Sequence, residues 1–85
     1  MYRLVVYPEA QEQIAALPDE ALVAYAEVTG VLGVSPWTGP PHHRSNPGGA
    51  VRRWHFGPEL AGQVIYLVVD DLREVHVLLV QWLGP

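Results

Sequence analysis

The sequence predicts an α+β domain with the element order β-α-α-β-β-β: an antiparallel four-stranded sheet covered on one face by a helical hairpin. Three observations lead there. The opening run YRLVVY is β-branched and aromatic, and helix-spaced apolar residues follow it. The Pro- and Gly-rich stretch SPWTGPPHHRSNPGG then separates this helical part from the rest of the chain. Beyond it, three strand-like runs are joined by short turns, the pattern of an antiparallel meander.

Each element has a local reason. Strand 1 covers Tyr2–Tyr7 and stops at Pro8, which suits the first turn of a helix, with Glu9 favourable at its N-terminal end. Ala10, Ile14 and Leu17 carry the first helix to about Leu17, where Pro18 breaks it. Asp19 is placed to cap a second helix, with Glu20 in its first turn. Leu22, Ala26, Thr29 and Leu32 with Gly33 trace one face of that helix, Tyr25 beside it, and Gly30 and Gly33 predict fraying before Pro36. Residues Ser35 to Gly49 read as loop. A loop of that length in so small a domain is unusual and often functional. VRRWHF (Val51–Phe56), GQVIYLVV (Gly62–Val69) and EVHVLLVQWL (Glu74–Leu83) read as strands 2 to 4. Two hairpins in succession leave one sheet face for the helices and one free.

Composition narrows the class. Apolar residues make up 49% of the 85, ample for one folded domain spanning 1–85 and too many for disorder. There is no cysteine, so no disulfide or thiolate metal site can form, as suits the cytoplasm. The N-terminal apolar run is too short for a signal peptide, and no run reaches membrane-spanning length. The net charge of −4 excludes loose binding to polyanions through bulk charge.

The charge is nevertheless segmented. The only basic residues are five arginines, and Arg44, Arg52 and Arg53 fall together with His42, His43 and His55 in a region without acids from residue 28 to residue 58. Alternation along strand 2 turns Trp54 and Phe56 toward the helices and Arg53 and His55 to the opposite face. Arg44 and the His42–His43 pair sit just before them. Arginine matches phosphate oxygens with its planar fork, and histidine exchanges protons near neutral pH. Together they could cleave RNA through 2′-hydroxyl attack, with Arg53 holding the phosphate and His55 and His43 handling protons. Arg44 and Arg52 are candidates for substrate contacts, and Trp37 and Trp82 for stacking on a base. Arg73 and His76 rank lower, because His76 is expected to share a strand face with Leu78 and Val80. The histidine pair has no carboxylate at ligand spacing, so neither a metal nor another cofactor is expected. Each residue also has a bland alternative: a solvated arginine or one paired with Glu59, a surface histidine, a tryptophan closing a small core.

The order of elements, with YPEAQEQIAAL, GAVRRWHF and QVIYLVVDD, resembles the RelE/ParE superfamily of bacterial toxins over nearly the whole chain. The resemblance implies a toxin of a type II toxin–antitoxin pair, with a cognate antitoxin as partner. RelE-like members cleave messenger RNA on the ribosome, and ParE-like members inhibit DNA gyrase. In the RelE-like pattern the outward basic residues of strand 2 correspond to Arg53 and His55, with Arg52 beside them. The chain departs from it at Gln63, where a further arginine is common, and at Gln81 and Trp82, where an arginine and a tyrosine or histidine are usual. Three readings therefore stand: a metal-independent messenger RNA endoribonuclease, a gyrase inhibitor, and a module that only binds its antitoxin. A homodimer is compatible with each.

Overall fold

A computed structural model describes residues 1–42 and 48–84. The elements are β1 (Arg3–Val6), α1 (Pro8–Ala15), α2 (Asp19–Val34), β2 (Val51–Phe56), β3 (Gly62–Val69) and β4 (Glu74–Trp82), with single 3-10 turns at Pro36–Thr38, Pro58–Leu60 and Asp70–Leu72. The predicted order of elements is the observed one.

The sheet order is β1-β4-β3-β2. Strands β2, β3 and β4 form the expected antiparallel meander. β1 instead lies parallel to β4, with Leu4 beside Val75 and Val6 beside Val77, so the sheet is mixed. The helical hairpin accounts for this. It carries the chain from β1, at one edge, to β2 at the other, and the meander then returns until β4 fills the place next to β1. β4 is thereby internal and hydrogen-bonded on both sides.

Helix α1 begins at Pro8, with Tyr7 as its N-cap, and ends at Ala15. Pro18 itself caps α2, and Asp19 is its first helical residue. α2 runs intact to Val34 despite its two glycines. At its end the Gly33 carbonyl accepts the Tyr2 N–H at 2.7 Å, tying the helix C-terminus to the start of β1. The buried face of α2 carries Ala21, Tyr25, Val28 and Leu32. The first three are one position away from the predicted Leu22, Ala26 and Thr29, whereas Leu32 and Gly33 are buried as predicted, and Leu22 is 43% exposed. α2 is apolar on almost every side, so its sequence pattern selects no face; the packing partners do.

The core joins Ala10, Ala21, Tyr25, Val28 and Leu32 of the helices to Phe56, Val64, Tyr66, Val68, Val75, Val77 and Val80 of the sheet. Tyr25 meets Phe56 edge-on at 6.0 Å. A β-bulge interrupts the β3–β4 ladder: Ile65 faces Leu79 and Tyr66 faces Val77, leaving Leu78 as the extra residue. Alternation therefore reverses across Leu78. Val77 and Val80 both enter the core, whereas His76 lies on the outer face. The expectation that His76 shares a face with Val80 is thereby corrected.

Leu32→Ala, which empties a fully buried position between helix and sheet, should lower the unfolding free energy by about 2–5 kcal/mol in equilibrium urea denaturation.

Candidate active site

Strand β2 sorts its side chains by alternation. Arg52 pairs with Tyr66 and Trp54 with Val64, so both arginine and tryptophan take the helix side. Arg53, opposite Ile65, and His55, opposite Gln63, take the open side.

Arg52 is only 9% exposed. Its Nε donates to the Gly49 carbonyl at 3.0 Å, and its Nη1 donates to the Gly39 carbonyl at 3.0 Å. Its guanidinium lies 4.8 Å from the centre of the Trp37 ring. Arg52 thus joins the two ends of the long connection. Trp37 is held in turn by donating from its indole N–H to Asp70 at 3.1 Å. The Tyr66 hydroxyl donates to the Pro36 carbonyl at 2.7 Å. A Cβ at Gly39 would overlap that hydroxyl and crowd the Arg53 carbonyl oxygen at 2.7 Å, so only glycine fits there. The connection then runs along the free edge of β2. Arg53 N–H donates to Pro40 at 3.1 Å and His42 N–H to Val51 at 3.0 Å, with Pro41 bridged to Arg52. Residues 40–42 of the predicted loop therefore make an isolated β-bridge along the edge of β2. His43 and Arg44 lie outside the described residues.

The open face gathers Arg53 and His55. Arg53 is half-buried, and its buried Nε has no hydrogen-bond partner among the described residues. His55 is exposed. The next position across from His55 is Gln63, whose side-chain amide donates to Gln81 at 2.9 Å. A neutral amide pair thus occupies the places where the resemblance leads one to look for arginine. Beside it runs the row Arg53, Ile65 and Leu79. Trp82 lies on the other side of the sheet, stacked on Phe56 at 6.4 Å. Arg52, Trp37 and Trp82 are therefore not brought together with Arg53 and His55.

Sequence reasoning missed a second polar group on the same face. The Tyr7 hydroxyl and His76 Nδ1 are 2.9 Å apart, and His76 Nε2 is 2.9 Å from Glu74 Oε1. The other oxygen of Glu74 pairs with Arg3. His76 first, then Arg3, holds the Glu74 carboxyl below the ordinary glutamate range. Tyr7 follows the outward residues Arg3 and Val5 at the same alternation, but the bulge at Leu78 conceals that His76 joins them. No group of three or more histidine, cysteine or acidic side chains suited to a metal occurs among the described residues. No helix among them is long and apolar enough to cross a membrane.

No protein-family model matches the sequence, and no curated protein matches it. Solved structures do. The chain is similar to the isolated RelE toxin of E. coli, with a TM-score of 0.79 and 14% identity over all of this chain and 87% of that one. It is similar to the toxin–antitoxin complex RelBE2 of Mycobacterium tuberculosis, with a TM-score of 0.74 and 24% identity over 95% and 96% of the two chains. The archaeal RelE–RelB complex of Pyrococcus horikoshii gives a TM-score of 0.69 at 16% identity over 98% and 96%. The chain therefore has a RelE-like fold.

Burial pushes the Tyr66 hydroxyl up to about 12, with the Arg52 charge pulling it partly back. A raised folded pKa keeps its full stabilisation below the unfolded value of about 10 and loses it as pH rises toward 12. Burial raises Tyr25 in the same direction. Tyr66→Phe should lower neutral-pH stability by about 1–3 kcal/mol and shrink the alkaline loss, measured by denaturant midpoints from pH 7 to pH 11.

Proposed function

We propose that this protein is the toxin of a type II toxin–antitoxin pair and that it cleaves messenger RNA on the ribosome. The observation that carries the reading is Arg53: an outward guanidinium on the open face of a RelE-like sheet, with a buried Nε that has no partner among the described residues. A phosphate oxygen would be held by the charge and the accessible N–H groups of this half-buried guanidinium. His55, two residues along and on the same face, would exchange a proton with the reacting oxygens. 2′-Hydroxyl attack needs a charge stabiliser, a proton acceptor and a proton donor, and these side-chain types supply all three roles without a metal. His43 and Arg44, on the connection before β2, are further candidates for the same work.

The partner would be a cognate antitoxin. The solved neighbours described as toxin–antitoxin complexes support that assignment. An acidic segment would suit the surface around Arg53, and the apolar exposed flank of α2, including Val23, Val31 and Val34, offers a second area for contact.

A second reading has its own support. Five basic residues are few for a ribosome-bound enzyme, whose phosphate contacts dominate affinity, and Gln63 and Gln81 replace the arginines of the RelE-like pattern. Those features favour a toxin that inhibits DNA gyrase as a protein partner.

Expression in a bacterial host, followed by primer extension on several transcripts, separates the two. Cuts within translated frames are expected. Arg53→Ala should reduce them about 100-fold or more, and His55→Ala by about 100-fold. Growth arrest with intact transcripts would move the assignment to gyrase.

A further inference from the structure

We infer that Tyr7, His76 and Glu74 form a proton relay, and that the Tyr7 phenol takes the proton from the 2′-hydroxyl of the RNA. The choice of substrate rests on the RNA-cleaving reading; the relay rests on geometry alone.

Three groups stand in a line. Glu74 touches His76 through one carboxylate oxygen, and His76 touches the Tyr7 hydroxyl through its other ring nitrogen, each at 2.9 Å. With Glu74 ionised, Nε2 carries the hydrogen and donates to it. Nδ1 then has a free lone pair that accepts the phenolic hydrogen. A reactive hydroxyl within reach of a base that a third group orients is the arrangement by which side-chain oxygens are activated. The Glu74 and His76 side chains are 14% and 19% exposed, so the inner part of the line is shielded. Tyr7 is 38% exposed, so the working end is open.

Adhesion between strands does not account for this line. β1 and β4 are already joined by four ladder positions, by Tyr7 N–H to the Val77 carbonyl at 3.0 Å and by Arg3 N–H to the Arg73 carbonyl at 2.9 Å. The polar line, with Arg3 paired to its Glu74 end, is added on a face whose other residues there are Val5, Leu67 and Leu79.

The position also fits. Val6 pairs with Val77, so Tyr7 stands at the level of Leu78 and Leu79. Leu79 is across from Ile65, and Ile65 is across from Arg53. Tyr7 and Arg53 therefore end the same transverse row, about 14 Å apart at the backbone by strand spacing. Because Tyr7 contacts His76 on β4, its ring leans inward over the sheet, toward the adjacent outward row of Val5, His76, Leu67 and Val51. Ile65 and Leu79 lie between Tyr7 and Arg53, and a phosphodiester held by Arg53 would have to span this part of the face to meet the Tyr7 hydroxyl.

The step balances. The 2′-hydroxyl proton passes to the Tyr7 oxygen while the Tyr7 proton passes to His76 Nδ1, and Glu74 stabilises the imidazolium. The 2′-oxygen–phosphorus bond forms. The phosphorus–5′-oxygen bond breaks, and the leaving oxygen takes a proton from His55. The products are a 2′,3′-cyclic phosphate and a 5′-hydroxyl; His76 returns its proton to solvent and His55 regains one from it.

Two measurements on the full chain test this. In the first, phenylmethylsulfonyl fluoride is reacted with the protein and the labelled tyrosines are located by mass spectrometry. Tyr7 should be labelled at least tenfold faster than Tyr2, and His76→Gln or Glu74→Gln should remove the difference. Equal labelling, or labelling indifferent to His76, would overturn the relay. In the second, Tyr7→Phe and His76→Gln are assayed for RNA cleavage in a translating extract and for binding to an oligonucleotide whose cleavage site is 2′-deoxy. Loss of cleavage by about 100-fold with unchanged binding is expected. Full cleavage by Tyr7→Phe, with Arg53→Ala inactive, would overturn the assignment to the 2′-hydroxyl and leave the nuclease reading in place. A wild-type protein that cuts no RNA would remove the substrate together with that reading, and labelling alone would then decide the relay.

Discussion

The buried guanidinium of Arg52 is the constraint from which the composition of the open face follows. An arginine on the covered side of a sheet is tolerated only when its donors are met and its charge is neutralised or spread. Here the carbonyls of Gly39 and Gly49 meet Nη1 and Nε, and the Trp37 ring lies against the charged plane. With Arg52 fixed inward, the period of two along β2 leaves Arg53 and His55 no place but outward. A shift of one residue would expose Arg52, bury Arg53 and His55, and strip the connection of its clasp. One interaction thus sets the register of β2, the path of the connection and the identity of the outward cations.

The two faces of the sheet divide the labour. The covered face holds almost all of the core, including Tyr66, whose hydroxyl reaches past the sheet to fix Pro36. The open face has an apolar middle and polar borders: Arg53 and His55 toward one edge, the Tyr7–His76–Glu74 line toward the other. A chain with so few basic residues gains from this placement. Two cationic or proton-carrying borders over a low-polarity floor concentrate their effect locally, where a long-range positive field is missing.

Much of this was legible in the sequence. Proline and glycine punctuation gave the element order, and alternation in VRRWHF separated Arg53 and His55 from Trp54 and Phe56. Other features were not legible, each for a physical reason. α2 is apolar around most of its circumference, so the first part of its buried stripe was displaced by one residue; Leu22 is exposed and Ala21 buried, while Leu32 and Gly33 are buried as expected. The parallel neighbour of β4 depends on where the helical hairpin delivers the chain, which no local pattern encodes. The role of Arg52 depends on carbonyls 13 and 3 residues away, and backbone acceptors leave no mark in a sequence. The bulge at Leu78 inverts inside and outside halfway along β4, so strict alternation placed His76 with Val80 and hid its approach to Tyr7.

The parallel pairing of β1 with β4 also governs when the molecule comes into being. Residues 3–6 are held by residues 74–77, and until those have been synthesised β1 has no strand to lie against. A growing chain can form the helical hairpin and, later, β2 with β3, but the row from Arg53 to Tyr7 has no middle before β4 arrives. Contacts this distant in sequence are also the slow ones to form. The open face of the sheet is therefore assembled only once β4 has been synthesised, however early its other strands emerge.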